Sequence, residues 1–199
     1  MNAFVNVISR LDTDEYEFTL RETRTHEIIE DVRSFRSELG ILYLSEFNEK
    51  VITKLLKENH LVFTPLFTAN PHVFISCTHQ LAGNDFITLE DLENYPCLAF
   101  EQGEYNSFYF SEELLSTVPH KKIIHVSDRA TLFSLLIGLN GYTICTGVLN
   151  SNLNADNIIA VPLKTDEKIN VGYIKHEKAN LSNFAISYFD ELKRLISEY

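Results

Sequence analysis

Long apolar runs are missing from this sequence, and none approaches the roughly 18 consecutive apolar residues that a membrane-spanning helix requires. Basic residues are scarce beside acidic ones: 17 Lys and Arg stand against 28 Asp and Glu, for a net charge of −11. A surface of that sign repels phosphate backbones, so this chain by itself is expected to bind nucleic acid poorly. Cysteine is limited to Cys77, Cys97 and Cys145, an odd number, each in an apolar, strand-like run. Free buried thiols are the expectation, and a disulfide framework is not. No glycine-rich phosphate loop occurs, nor G-x-G-x-x-G, G-x-S-x-G or H-E-x-x-H. Of seven histidines only His79, in Cys77-Thr78-His79, lies close to a second ligand type, so no metal site and no cofactor are expected. The N-terminus lacks the basic start, apolar stretch and small-residue cleavage site of a secretion signal, which makes the cytoplasm the default location.

Apolar residues make up 45% of 199, enough for a real core in one large domain or two small lobes. Residues 126–147 form the stretch around which the rest can be arranged. Ile123–Val126 reads as a buried strand, and Ser127 or Asp128 then caps a helix. Leu132, Leu135, Leu136 and Leu139 recur at helical spacing, Gly141 is placed in the left-handed position past the helix end, and 142–145 begins another strand. Such strand–helix–strand units offer a polar helix start at one edge of a sheet, where small ligands bind in open α/β folds. Ser127 and Asp128 serve equally well as caps of a structural helix.

From the start of the chain, residues 2–11 carry a helical apolar stripe, and 15–21 alternate Tyr16, Phe18 and Leu20 with polar residues, as a half-buried strand does. Thr25 is the expected cap of the next helix, 40–45 a buried strand and 46–59 an amphipathic helix. The order helix, strand, helix, strand, helix implies an α/β fold with a parallel sheet that has lost its first strand. Further on, 61–68, 72–78, 97–101, 158–163 and 169–174 read as strands. Helices are expected after Thr88-x-x-Asp91, a capping box, within 107–118 and around 148–153, and a final one through Ala185, Phe189, Leu192 and Ile196. The carboxylate pairs Glu90-Asp91 and Glu112-Glu113 fall where solvated helix faces are expected. Binding without chemistry is therefore favoured over catalysis, and the chain is not expected to be an enzyme.

Four segments in order carry a resemblance: Leu39-Gly40-Ile41; His79-Gln80-Leu81-Ala82-Gly83; Ile87-Thr88-Leu89-Glu90-Asp91-Leu92 with Tyr95-Pro96 and Gln102-Gly103 behind it; and Gly138-Leu139-Asn140-Gly141-Tyr142-Thr143-Ile144. Together they resemble the effector-binding domain of LysR-type transcriptional regulators; Gln80 departs from the family's usual proline. The resemblance implies a periplasmic-binding-protein type II fold of two α/β lobes, 1–68 plus 165–199 and 69–164, hinged near residues 67–70 and 163–166. It implies a small polar or anionic effector between the lobes, at positions matching Ser45, Thr68, Gln102, Gly103, Ser127, Asp128, Arg129, Thr146 and Gly147. Arg129 suits a carboxylate or phosphate. It also implies a dimer, with DNA reached only through an N-terminal winged helix-turn-helix that this sequence does not carry. The family's first strand is missing too, which leaves a slot that self-association would close. A stand-alone solute-binding protein of the same fold is the alternative reading.

Overall fold

The computed structural model of the chain describes residues 2–105, 107–148 and 157–197. Helix α1 (Asn2–Ile8) leads through residues 9–24, which have no regular structure, to α2 (Thr25–Arg33), β1 (Gly40–Leu44), α3 (Glu49–Glu58) and β2 (Leu61–Ala69). Then follow β3 (His72–Ser76), β4 (Cys97–Phe100), β5 (Ile123–Val126), α4 (Arg129–Gly138), β6 (Thr143–Cys145), β7 (Ile158–Pro162), β8 (Ile169–His176) and α5 (Asn183–Ile196).

Two separate sheets organise these elements. In the first, β8 lies between β1 and β2 and is antiparallel to both. The expected parallel sheet is therefore corrected: β1 and β2 run the same way, but the C-terminal strand returns between them. Ile174 of β8 joins Ile29, Val32, Leu42, Ile52 and Leu56 in a core under α2 and α3. Its neighbour Tyr173 points to the opposite face and stacks on Phe189 of α5 at 3.9 Å. Alternation along one strand thus builds helix layers on both faces.

The second sheet has β3 between β6 and β7, antiparallel to each. The parallel pair β4–β5 extends it through a bridge between Cys97 and Tyr142, where Leu98 N–H donates to the Tyr142 carbonyl at 2.8 Å. Val73 and Ile75 of β3 face one apolar cluster, with Ile87, Leu92 and Val161; Phe74 faces the other, with Leu98, Leu132 and Leu136 of α4. The two connections between the sheets lie side by side. Leu163 N–H donates to the Pro71 carbonyl, Lys168 Nζ to Asn70 Oδ1, and Thr68 Oγ1 to Asn170 Oδ1 at 2.8 Å.

Several local expectations change. Residues 15–21 are exposed and belong to no ladder. Phe18 instead stacks on Phe184 at 4.2 Å and meets Phe4 edge-on, so its apolar side is covered by helices rather than by strands. The α2 N-cap position is Arg24, without a side-chain cap, and Thr25 is the first helical residue. The segment 107–118 forms only a 3₁₀ turn at Phe108–Phe110, and Leu115 adopts a left-handed φ of 58° that no helix continues through. Thr88 and Asp91 do form the reciprocal capping box, closing a turn rather than a helix. At the end of α4 the left-handed residue is Asn140 (φ 53°), not Gly141. Gly141 instead permits close approach, since a Cβ there would lie a tight 3.1 Å from the Pro96 carbonyl. The helix expected around 148–153 lies largely outside the described residues.

All three cysteines are free. Cys97 is buried and Cys145 half-buried, and burial pushes both thiols up to about 12. Cys77 is exposed, contrary to the expected burial, because it sits in the turn just past β3.

Candidate functional site

A partly open cavity between the two sheets has a volume of about 200 Å³. Tyr43 of β1 and Ile169 of β8 reach it from the first sheet; Phe74, Phe100, Thr143 and Thr146 reach it from the second. The start of α4 supplies Arg129, Leu132 and Phe133, and the turn after Phe110 supplies Glu112 and Glu113. The polar groups arrive from strands, a helix start and the turn after Phe110.

Glu113 is buried, and its carboxylate accepts from Phe100 N–H at 2.9 Å and from Ser111 Oγ at 3.0 Å. Burial pushes its carboxyl up to about 7, against the pull of those two donors. Glu112 is raised as well, by burial first, with the Gln102 amide and the Arg129 charge opposing. Both were expected on a solvated helix face; the absence of that helix turns them inward. Tyr43 Oη donates to the carbonyls of Ser111 and Glu113 at 2.9 and 3.2 Å, which ties the first sheet to the acidic turn. Its hydroxyl is held protonated by burial and by both carboxylates.

Among the expected effector residues, Arg129 and Thr146 line the cavity. Gln102 is buried beside Glu112, close enough to lower its pKa, yet neither amide atom has a hydrogen-bond partner of normal geometry. Asp128 is exposed and is the cap of α4, accepting from Thr131 N–H at 2.8 Å, while Ser127 is exposed beside it. Gly103 and Gly147 take left-handed φ values of 58° and 76° next to Arg24 and His72 respectively. Ser45 is buried with its N–H donating to Asn48 Oδ1, and exposed Thr68 is bonded to Asn170. Tyr43, Phe100, Glu112, Glu113 and Phe133 are lining residues that sequence reasoning did not select. For Glu112 and Glu113 the signal was the local density of Phe, Tyr and Glu in residues 108–113; for Tyr43, Phe100 and Phe133 there was none.

Contacts across the mouth come from residues 22–26. Arg129 Nε donates to Glu22 Oε1 at 2.6 Å, Arg24 pairs with Glu101 and Glu27, and His26 stacks on Tyr105 at 3.5 Å. A wider open depression of about 830 Å³ beside them is lined by Arg21, His26, Glu30, Asp31 and Arg36. Arg36 already pairs there with Asp31 at 2.8 Å and Arg33 with Glu30, so its charges are largely matched among themselves. No group of three or more His, Cys, Asp or Glu suited to a metal occurs among the described residues. No helix among them is long and apolar enough to cross a membrane.

Solved structures of similar fold include regulatory domains and longer LysR family regulators. The reduced OxyR regulatory domain from Pseudomonas aeruginosa superimposes with a TM-score of 0.68 at 15% identity, over 97% of this chain and 90% of that one. The effector-binding domain of QuiR, in complex with shikimate, gives 0.62 at 16%, over 100% and 90%. HinK, a LysR family transcriptional regulator from Pseudomonas aeruginosa, gives 0.59 at 17%, over 90% of this chain. The chain spans 59% of HinK and 61% of the PA01 LysR-family protein from the same organism. At these identities the likeness is one of fold. No curated protein matches the sequence. The family model of the LysR substrate-binding domain, in contrast, matches residues 11–195, nearly the whole length. With its two-sheet, type II periplasmic-binding-protein architecture, the chain belongs to the LysR substrate-binding domain family.

Proposed function

We propose that this chain is the effector-sensing domain of a LysR-type transcriptional regulator and binds a small molecule between two lobes, 1–68 plus 165–199 and 69–164. The observation that carries the reading is the partly open cavity with walls from both sheets. A ligand touching both walls stabilises their closed arrangement, and a conformational equilibrium of that kind is what a regulator relays. QuiR, of the same fold, is described with shikimate bound, which supports a small-molecule ligand here. Arg129 and Thr146 contact the effector in this proposal, Gln102 backs them, and Gly103, Ser127, Asp128 and Gly147 form the strand-end frame. Ser45 and Thr68 order the ends of β1 and β2. The chain senses rather than catalyses, works in the cytoplasm as a homo-oligomer, and reaches DNA through another part of the regulator.

The test is a thermal-shift screen of small metabolites on the chain and on Thr146→Phe, which fills the cavity. At least one compound is expected to raise the melting midpoint of the parent and to leave the variant unchanged. If no compound acts, or if the response survives Thr146→Phe, the cavity is not the sensing site.

A further inference from the structure

The charge of the cavity decides which ligands it accepts, an inference that rests on the reading of the cavity as the effector site. Two carboxylates, Glu22 and Glu112, act on one guanidinium, that of Arg129, and a third, Glu113, lines the same cavity. That guanidinium is already engaged at the mouth: its Nε and Nη2 both meet Glu22. Glu113 is satisfied by Phe100 N–H and Ser111. Glu112 is left facing the cavity with the Gln102 amide beside it, and that amide is itself buried without a partner of normal geometry. Buried polar groups are costly to leave unpaired, and a polar ligand group beside Glu112 would offer this amide a partner. An incoming anion would meet Glu112 and Glu113 and would have to strip Glu22 from Arg129. An incoming cation meets the Glu112 carboxylate, which no ion pair among the described residues engages, and much of the wall around it is aromatic and aliphatic: Phe74, Phe100, Leu132, Phe133. Aromatic faces also favour cations.

We propose that the cavity takes a small organic cation, a primary amine or guanidinium on a short apolar stem, with Glu112 as its counter-charge and Gln102 as a second polar partner. The size agrees: about 200 Å³ lies below the range of drug-sized pockets and suits a compact metabolite. The raised carboxyls agree too, since a bound cation supplies the charge that burial denies them. This replaces the anionic effector expected from sequence with one of the opposite charge, and leaves Arg129 paired with Glu22 at the mouth rather than with the charge of the ligand.

The experiment uses the whole 199-residue chain and matched probes: 1,4-diaminobutane and agmatine as cations, succinate and shikimate as anions, and 1,4-butanediol as the neutral control. Binding is read by calorimetry and saturation-transfer NMR on the parent, Glu112→Gln, Glu112→Asp and Thr146→Phe. A cation probe is expected to bind roughly tenfold or more tighter than its matched anion, and to lose a similar factor in Glu112→Gln. Glu112→Asp should keep part of the affinity, and Thr146→Phe should abolish it. Anions binding in preference to cations, with loss in Thr146→Phe, would overturn the charge assignment and leave the effector cavity standing. Cation binding untouched by Glu112→Gln would overturn the role of Glu112. No probe binding in a way sensitive to Thr146→Phe would overturn both this inference and the reading beneath it. The ranking of probes on the parent stands even if a variant fails to fold.

Discussion

Phe100 N–H and the Ser111 hydroxyl hold the Glu113 carboxylate in place, yet burial keeps its pKa near 7, well above the ordinary 4.5. The folded chain therefore holds a proton between those values that the unfolded chain has released. Stability falls as pH rises from about 4.5 to about 7 and is level above, an effect on the order of 3 kcal/mol by linkage. Glu112, raised for the same reason, adds to the slope in the same direction. Urea unfolding of the parent at pH 5, 6, 7 and 8 should show this decline. In Glu113→Gln most of it should vanish, because the amide needs no ionisation and still accepts from Phe100 N–H. A parent whose stability rises across that window would contradict the buried-carboxylate account. Legibility at this scale was uneven. Arg129 and Thr146 were readable because strand ends and helix starts are visible in pattern. Glu112 and Glu113 were not, because a pair of adjacent carboxylates in an apparent helix looks solvated. Only the left-handed Leu115 and the tight turn around it bring them inward.

At the scale of the element, α1 is the instructive case. Seven residues are too few for a helix to persist alone in water, so α1 exists only as docked. Ala3 and Val7 are buried, and α5 presents Glu191, 4% exposed, which accepts from Asn6 Nδ2 at 2.7 Å and from Arg10 Nη1 at 2.9 Å. Arg194, Asn6 and Arg10 hold the Glu191 carboxyl down at about 2. A depressed carboxylate contributes stability that is present above its unfolded value near 4.5 and is lost as pH falls towards 2. Glu191→Ala should accordingly undock α1: hydrogen exchange in Asn2–Ile8 should rise to the level of a frayed terminus, with β8 still protected. Retained protection in α1 would mean that Ala3 and Val7 suffice. Amphipathic helices and apolar strands were legible because their periodicity is local. The antiparallel return of β8 between β1 and β2 was not, since pairing across more than a hundred residues leaves no mark in local pattern. Residues 15–21 misled for a related reason: alternation reports one apolar side, and here Phe4 and Phe184 cover it.

For the whole molecule, the first sheet has two open sides. Among the described residues β1 and β2 each pair with β8 alone, so their outer backbone groups face solvent or a partner. Val51 of α3 and Val62 of β2 are exposed nearby in sequence, and their burial would add to edge pairing. Light scattering is expected to give a mass of at least twice 22.9 kDa. A sharp species of 22.9 kDa at high concentration would show that the edges are tolerated as they stand. The three thiols carry a separate consequence. Cys97 and Cys145 are shielded and hold their protons to about 12, while Cys77 stands in the open just beyond β3. A maleimide dye will therefore select one sulfur out of three without any mutagenesis. The wild-type chain thus offers a single addressable position, in the turn just past β3, where one dye reports on the edge of the second sheet.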